Sequence, residues 1–410
     1  MKGKTKRTKT NKSICSKNNK GITLIALILT IIVLLILAVV AINAVTGDGI
    51  ISHAKNAKED YTEAQANEKS TLQGYLDKLE ESQLASGKIK DNLNKVLSTG
   101  GNITLEDDFG NKIKVPAGFK IITKTDTENT DLNYTADDIN VTKGIVVEDG
   151  EGNQFVWIPV GTIYTNTEKT ESKTITLGRY VFKSDGTIDT ALSQITPEGQ
   201  LKTSSSATYY FTEGKKNDTT INAHAKDIEE FVSKTNASGG YYIGRYEART
   251  EKERKSYSAA LTPVTLKAND YVYNWITQPK ASERCQSMYK NKPFKSDLVN
   301  SYAWDTAIIF FQEFGDNSTY ASKKSVNSSL ANKGTSETGY TRTAKDVICN
   351  VYDMASNCRE WSTETYSDPN SLYTLRGDLY VVSNDGYTSF RKVWQIVAIE
   401  HVSFRPVLYM

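Results

Sequence analysis

Side chains able to do covalent or metal chemistry are few in this chain. Cysteine stands at 15, 285, 349 and 358, and histidine at 53, 224 and 401. No pair has Cys-x-x-Cys spacing, so neither a zinc ribbon nor a thioredoxin-type redox pair is spelled out. Three scattered histidines do not assemble a multi-histidine metal centre. There is no His-Glu-x-x-His and no glycine-rich phosphate loop. Only His224 and His401 fall in the C-terminal region, so no Ser-His-Asp arrangement can be argued. Cys349 and Cys358 stand nine residues apart. That spacing fits a disulfide or two buried thiols, since cysteine often serves as a small buried hydrophobe.

The 410 residues are 38% hydrophobic and 24% charged. That is enough apolar material for a real core, in two or three domains by length. The net charge of +2 is unevenly spread. Residues 1–20 carry eight basic side chains and no acid, leaving 42 basic against 48 acidic, a net of −6. A mildly acidic body lacks the basic face of a nucleic-acid-binding protein, and no nucleic-acid partner is expected. Next comes an uncharged run from Ile22 to Val45. At ~1.5 Å per helical residue it crosses a hydrocarbon core of ~30 Å. The basic cluster before it keeps that end cytoplasmic and places the rest outside. No Ala-x-Ala follows closely, as a cleaved secretory signal would require.

Beyond Val45, Leu72, Tyr75, Leu76, Leu79 and Leu84 recur at helical spacing, which predicts a helix over about 51–86. Residues 87–150 read as a small β-rich connecting region. Asp107-Asp108-Phe109-Gly110-Asn111 forms its hairpin turn, and 125–143 forms a loop. From 151 to 410 the chain is aromatic-rich and β-prone. Helices are predicted over Ala223–Thr235, Lys280–Tyr289 and Ser301–Phe314. No internal repeat is evident. The expected fold class is α+β: a basic leader over 1–21, a long N-terminal helix over 22–86, the connecting region, and a C-terminal domain.

Lys20-Gly21-Ile22-Thr23-Leu24-Ile25 resembles the class III signal of type IV prepilins. The resemblance implies cleavage after Gly21 and methylation of Ile22. It also implies a spine helix that sits in the membrane before assembly and then packs on other pilin subunits. Pilins usually carry Glu at the fifth mature position, where this chain has Ala26. A buried carboxylate needs a partner. Its absence points to a tip or minor pilin, or to an anchored pseudopilin-like protein.

Several segments, in order, resemble the formylglycine-generating enzyme (sulfatase-modifying factor) family, a variant of the C-type lectin fold. They are Phe155–Val160, Gly240–Glu247, Cys285 with Met288, Trp304-Asp305, Asn350–Trp361, Arg376-Gly377 and Ser403–Leu408. Trp157, Trp304 and Trp361 read as buried anchors. Arg405 can donate several hydrogen bonds to loop carbonyls. Family members often hold a structural calcium near the positions of Asn357 and Glu360. Here Ser356 and Cys358 replace the usual residues, and the side chains read first as a hydrogen-bonded loop, with calcium as the alternative. No other cofactor is expected. The family's oxidases use a copper-binding cysteine pair between the positions of Arg376 and Arg405. This sequence has no cysteine there, so an enzyme is not expected.

The resemblance implies that residues 378–402 lie in the family's ligand-facing region, which is diversified in the variable proteins of diversity-generating retroelements. Asp378, Leu379, Tyr380, Val381 and Val382, with Trp394, Ile396, Val397, Ala398 and Ile399, are the expected ligand-binding residues. Two buried strands are the competing reading of the same apolar runs. The functional expectation is an adhesin-like surface protein that binds an extracellular protein or glycan. An oxidase of the formylglycine-generating type and a purely structural anchored protein are the alternatives.

Overall fold

Leu24–Thr46 contains no charge, glycine or proline, and it forms one helix, α1. The computed structural model describes this backbone, with side chains for 28–39, and helical positions at 58, 61, 65 and 68. It further describes residues 87–97, 100–196, 199–213, 228–324, 346–368, 373–379, 386–395 and 398–410. The α1 side chains over 28–39 are all exposed and almost all apolar. That stretch spans roughly 18 Å. Among the described residues no helix is long and apolar enough to cross a membrane. The leader, Gly21, Ile22 and a continuous spine to residue 86 lie outside the described residues.

The chain divides into two units, Met1–Leu79 and Glu80–Met410. In chain order the second unit begins with β1 (Gly87–Lys88), β2 (Ile103–Glu106), β3 (Lys112–Val115), β4 (Lys120–Ile121), β5 (Val146–Glu148), β6 (Gln154–Pro159), β7 (Gly161–Tyr164), β8 (Ser172–Ile175) and β9 (Phe211–Thr212). Helix α2 (Ile228–Ser238), β10 (Gly240–Gly244), β11 (Arg249–Thr250), β12 (Tyr271–Val272), α3 (Gln278–Ser287), β13 (Lys295–Leu298) and α4 (Ser301–Phe314) follow. The unit ends with β14 (Val347–Ile348), β15 (Val351–Tyr352), β16 (Arg359–Tyr366), β17 (Tyr373–Arg376), β18 (Arg391–Trp394), β19 (Val402–Phe404) and β20 (Pro406–Tyr409). The class is therefore mixed α+β.

One sheet has six strands in the order β13-β20-β10-β6-β5-β4, paired antiparallel throughout. A second runs β18-β17-β16-β19, with β9 also on β16 and with β16 and β19 parallel. The boundary expected at residue 150 falls inside the β5–β6 hairpin. Residues before it supply β4 and β5 to the same sheet as β6, because Val146 and Val147 complete one core with Phe155 and Val156.

The 107–111 hairpin turn has a twin that the sequence reading did not separate out. Glu106-Asp107-x-x-Gly110-Asn111 and Glu148-Asp149-x-x-Gly152-Asn153 share one pattern. In each turn the aspartate Oδ1 accepts two backbone N–H groups, from Phe109 and Asn111 or from Glu151 and Asn153. Its Oδ2 accepts the asparagine amide at 3.0 and 2.8 Å. Gly110 and Gly152 sit at φ 84° and 87°, which explains the residue type.

Trp157, Trp304 and Trp361 are fully buried, as expected for anchors. Trp157 packs at a 60° tilt against Tyr242 across the β6–β10 pair, with ring centroids 5.0 Å apart. A side chain at Gly240 would place its Cβ 2.4 Å from the Trp157 ring, so β10 must begin with glycine. Arg405 lies between β19 and β20, where the chain passes from one sheet to the other. Its guanidinium donates to Gly244 O and Tyr352 O at 2.8 Å each and pairs with Glu360 of β16 at 2.5 Å.

Candidate ligand-facing surface

The C-terminal segment is seated on a buried ionic cluster. Helix α4 starts where Asn300 accepts the Ala303 N–H at 2.9 Å, which fixes the Trp304-Asp305 turn inward. Asp305 pairs with Arg376 of β17 and, at 2.5 Å, with Arg391 of β18. It also accepts Tyr180 N–H at 2.9 Å. Glu364 of β16 pairs with Arg179 at 2.6 Å and with Arg391 Nε at 2.8 Å. Side chains in this cluster are at most 3% exposed. Glu213 stands beside it, accepting Ser301 N–H and Oγ–H and the Thr363 hydroxyl. Each arginine fork thus spans separate chain segments, which only a planar multi-donor cation does well.

These environments move the carboxyls in opposite directions. Burial alone would raise Glu364, but Arg391, Arg179 and Arg376 outweigh it and hold the group at about 2. Burial raises Glu213, with Glu364 adding repulsion. Burial likewise raises Glu247 and Glu360. A depressed acid adds stability that is present above its unfolded value of 4.5 and lost as pH falls through its folded value. Raised acids add stability below that unfolded value and lose it as pH rises through their folded values. Thermal stability should therefore increase when pH drops from about 7.5 to about 5, then fall by about 3 kcal/mol through Glu364 toward pH 2. Unfolding curves across that range check this. A steady decline from neutral pH downward would contradict it.

The expected ligand residues do not share one environment. Asp378 and Leu379 are buried, with Asp378 Oδ1 3.5 Å from Arg359 Nη2. Gly377, at φ 73°, makes the turn that leads to them. Tyr380, Val381, Val382, Ile396 and Val397 lie outside the described residues. Trp394, Ala398 and Ile399 are half-buried. Trp394 ends β18, the edge strand of its sheet, and with Ile399 it packs on the core around Trp361 and Phe404. The Ile399 carbonyl accepts Trp275 N–H at 3.1 Å.

Residues 387–391 add a feature the sequence reading passed over. A cavity of about 180 Å³ is lined by Phe182, Thr203, Tyr387, Ser389, Phe390 and Arg391. Tyr387 and Phe390 meet edge to face, with centroids 5.3 Å apart. The backbone of 388–389 is pinned to the edge at 321–323, with Thr388 N–H on Lys323 O and Ser389 N–H on Ala321 O, both at 3.0 Å. The available signal was Gly386-Tyr387-Thr388-Ser389-Phe390, two aromatics in a turn-forming segment.

Asn357 and Glu360 are buried but already engaged. The Asn357 amide donates to Glu247 Oε2 at 2.6 Å, and Cys358 N–H donates to Glu247 Oε1 at 2.9 Å. Both Glu360 oxygens are taken by Arg405. Of the side-chain oxygens of Asn357 and Glu360, Asn357 Oδ1 is the one without a hydrogen-bond partner among the described residues. One oxygen is far short of the ~6–8 that calcium takes, so these residues as arranged do not fit the ion. Among the described residues no group of three His, Cys, Asp or Glu is placed to hold a metal.

Cys349 and Cys358 are not bridged; with Cys285 they are free and buried. Burial pushes the Cys349 thiol up to about 12 and raises Cys358 and Cys285 as well. Thiols so protonated are poor nucleophiles at neutral pH.

No family model matches the chain, and no curated protein matches it. The crystal structure of CarF is similar at 21% identity over 30% of this chain and 49% of that one, with a TM-score of 0.21. A likeness that low carries no argument about fold.

Proposed function

We propose that this chain is a surface-displayed binding protein. In this reading a type IV pilin-like N-terminus, processed between Gly21 and Ile22, inserts in the membrane and then joins other pilin subunits. It displays a C-type-lectin-like body of the formylglycine-generating type outside the cell. That body meets a protein or glycan partner through residues 378–402, a segment of the kind retroelements diversify. It is not an oxidase.

The observation that carries the reading is the seating of β18. Arg391 is held by Asp305 and Glu364, and the backbone of 388–389 by Lys323 and Ala321, so Tyr387, Phe390 and Trp394 flank an anchored segment. Aromatic groups held rigid beside a small cavity lose little entropy on meeting a partner. Display is supported by α1, whose exposed Leu34, Leu35 and Leu37 would be covered by lipid or by neighbouring helices. Ala26 supports a place at a filament tip.

Two measurements test the halves separately. Intact-mass analysis of protein from its native cells should give a start at Ile22, heavier by one methyl group; an intact leader refutes the pilin half. Tyr387→Ala and Phe390→Ala should each weaken capture of the native partner by about tenfold or more; Trp394→Ala should do so too, but with a lowered melting temperature, because that ring also packs on the core. Unchanged capture in all three refutes the surface assignment.

A further inference from the structure

A larger cavity lies away from residues 378–402, between the 149–153 turn and the C-terminal end of α3. Its volume is about 430 Å³, within the range of small-molecule sites. The two signs of charge on its walls come from different segments. Asp149 and Glu151 sit on the turn, whereas Arg284 belongs to α3 and Lys292 to the loop after it. Tyr289 and Met288 supply half-buried apolar wall.

Asp149 is already saturated. It accepts two backbone N–H groups, the Asn153 amide, and the Tyr289 hydroxyl at 2.7 Å. Those bonds fix the turn and the tyrosine as rigid wall. They leave the exposed Glu151 carboxylate as the acid able to meet a ligand; the cations on the other segments of the lining are Lys292 and Arg284, whose Nη2 also pairs with Glu283 Oε1 at 3.0 Å and leaves the rest of its fork for a ligand. A second cavity of about 340 Å³ shares Tyr289, Lys292 and Phe294 with the first, and it again carries both signs, on Lys290 and Lys295 and on Glu230 and Asp297.

Equal numbers of acids and bases disfavour a ligand of high net charge. Charges on separate walls around apolar surface suit a molecule that carries an ammonium and a carboxylate some ångströms apart. We propose that this cleft binds a small zwitterion of the amino-acid class, a free amino acid or a short peptide. Its carboxylate faces Arg284 and Lys292, its ammonium faces Glu151, and its side chain lies against Tyr289 and Met288. The adjoining cavity gives a second residue room.

The test is calorimetric titration of the full-length protein with phenylalanine, glutamate and alanylalanine. Their N-acetyl and methyl-ester derivatives and glucose are run alongside. At least one zwitterion should bind saturably. Acetylation, esterification, Glu151→Gln and Arg284→Gln should each weaken it by about tenfold, the usual worth of one charge-assisted hydrogen bond. Tighter binding of the dipeptide assigns the ligand to both cavities, and tighter binding of the amino acid to the first alone. Glu151 is exposed and Arg284 half-buried, so the melting temperature of each variant is measured alongside, and an unchanged value shows that it folds. No saturable binding up to about 10 mM, which bounds the binding free energy to weaker than about −3 kcal/mol, overturns the proposal. Binding indifferent to both variants, or binding of glucose alone, overturns it too.

Discussion

Asp305→Asn should destabilise the folded body by about 3–5 kcal/mol, the range for removing one partner from a buried ionic network. The substitution keeps the shape and one carbonyl oxygen. It removes the charge that Arg376 and Arg391 share and turns an amide N–H₂ toward a guanidinium. Both arginines are sealed from water, so no solvent screens the change. Glu364 then remains the nearer acid for three cations. Denaturant midpoints of the wild type and variant give the cost. Pairing Asp305→Asn with Arg391→Met should cost less than the sum of the two single changes, because the second removes a charge the first has stranded. A loss below about 1 kcal/mol would mean the cluster is not the anchor of β17 and β18.

Arg405→Met should cost a similar amount, about 3–5 kcal/mol at neutral pH, with a distinct pH signature. Methionine fills much of the volume but leaves the Glu360 carboxylate and the Gly244 and Tyr352 carbonyls without their donor. Burial already raises Glu360, and loss of Arg405 raises it further. A raised acid contributes stability at low pH and loses it as pH rises through its folded value. The variant should therefore be least impaired near pH 5 and worst near pH 8. Equal losses at both values would show that Glu360 is not the group left stranded.

Periodic and capped elements were legible in the sequence. Ser301–Phe314 is the helix expected, because apolar residues recur at helical spacing right after a capping asparagine. The helix expected at Lys280 begins at Gln278, since Pro279 is well placed in a first turn. The expected Ala223–Thr235 helix is described from Ile228 and runs to Ser238. The ionic cluster was not legible. Arg179, Asp305, Glu364, Arg376 and Arg391 are dispersed over more than half of the chain, and a lone charge in a sequence reads as solvated surface. Nor did local pattern reveal that Asp378 turns inward to Arg359, or that Glu360 is consumed by Arg405 rather than left for a cation. Both facts are set by contacts between segments remote in sequence. The twin Glu-Asp-x-x-Gly-Asn turns were visible in principle, but a six-residue match carries meaning only once both copies are seen to build the same hairpin.

The placement of β20 governs when this protein can exist. That strand lies between β13 and β10, inside the six-stranded sheet rather than at its rim. It is also reached only through β19 and Arg405, which close the other sheet. During vectorial synthesis the six-stranded sheet is therefore completed only after residues 406–409 have left the ribosome. Such high contact order slows folding and leaves the nascent chain exposed to aggregation. Under the proposed surface display, a sheet completed only by its last strands would present no finished obstacle to export in an unfolded state.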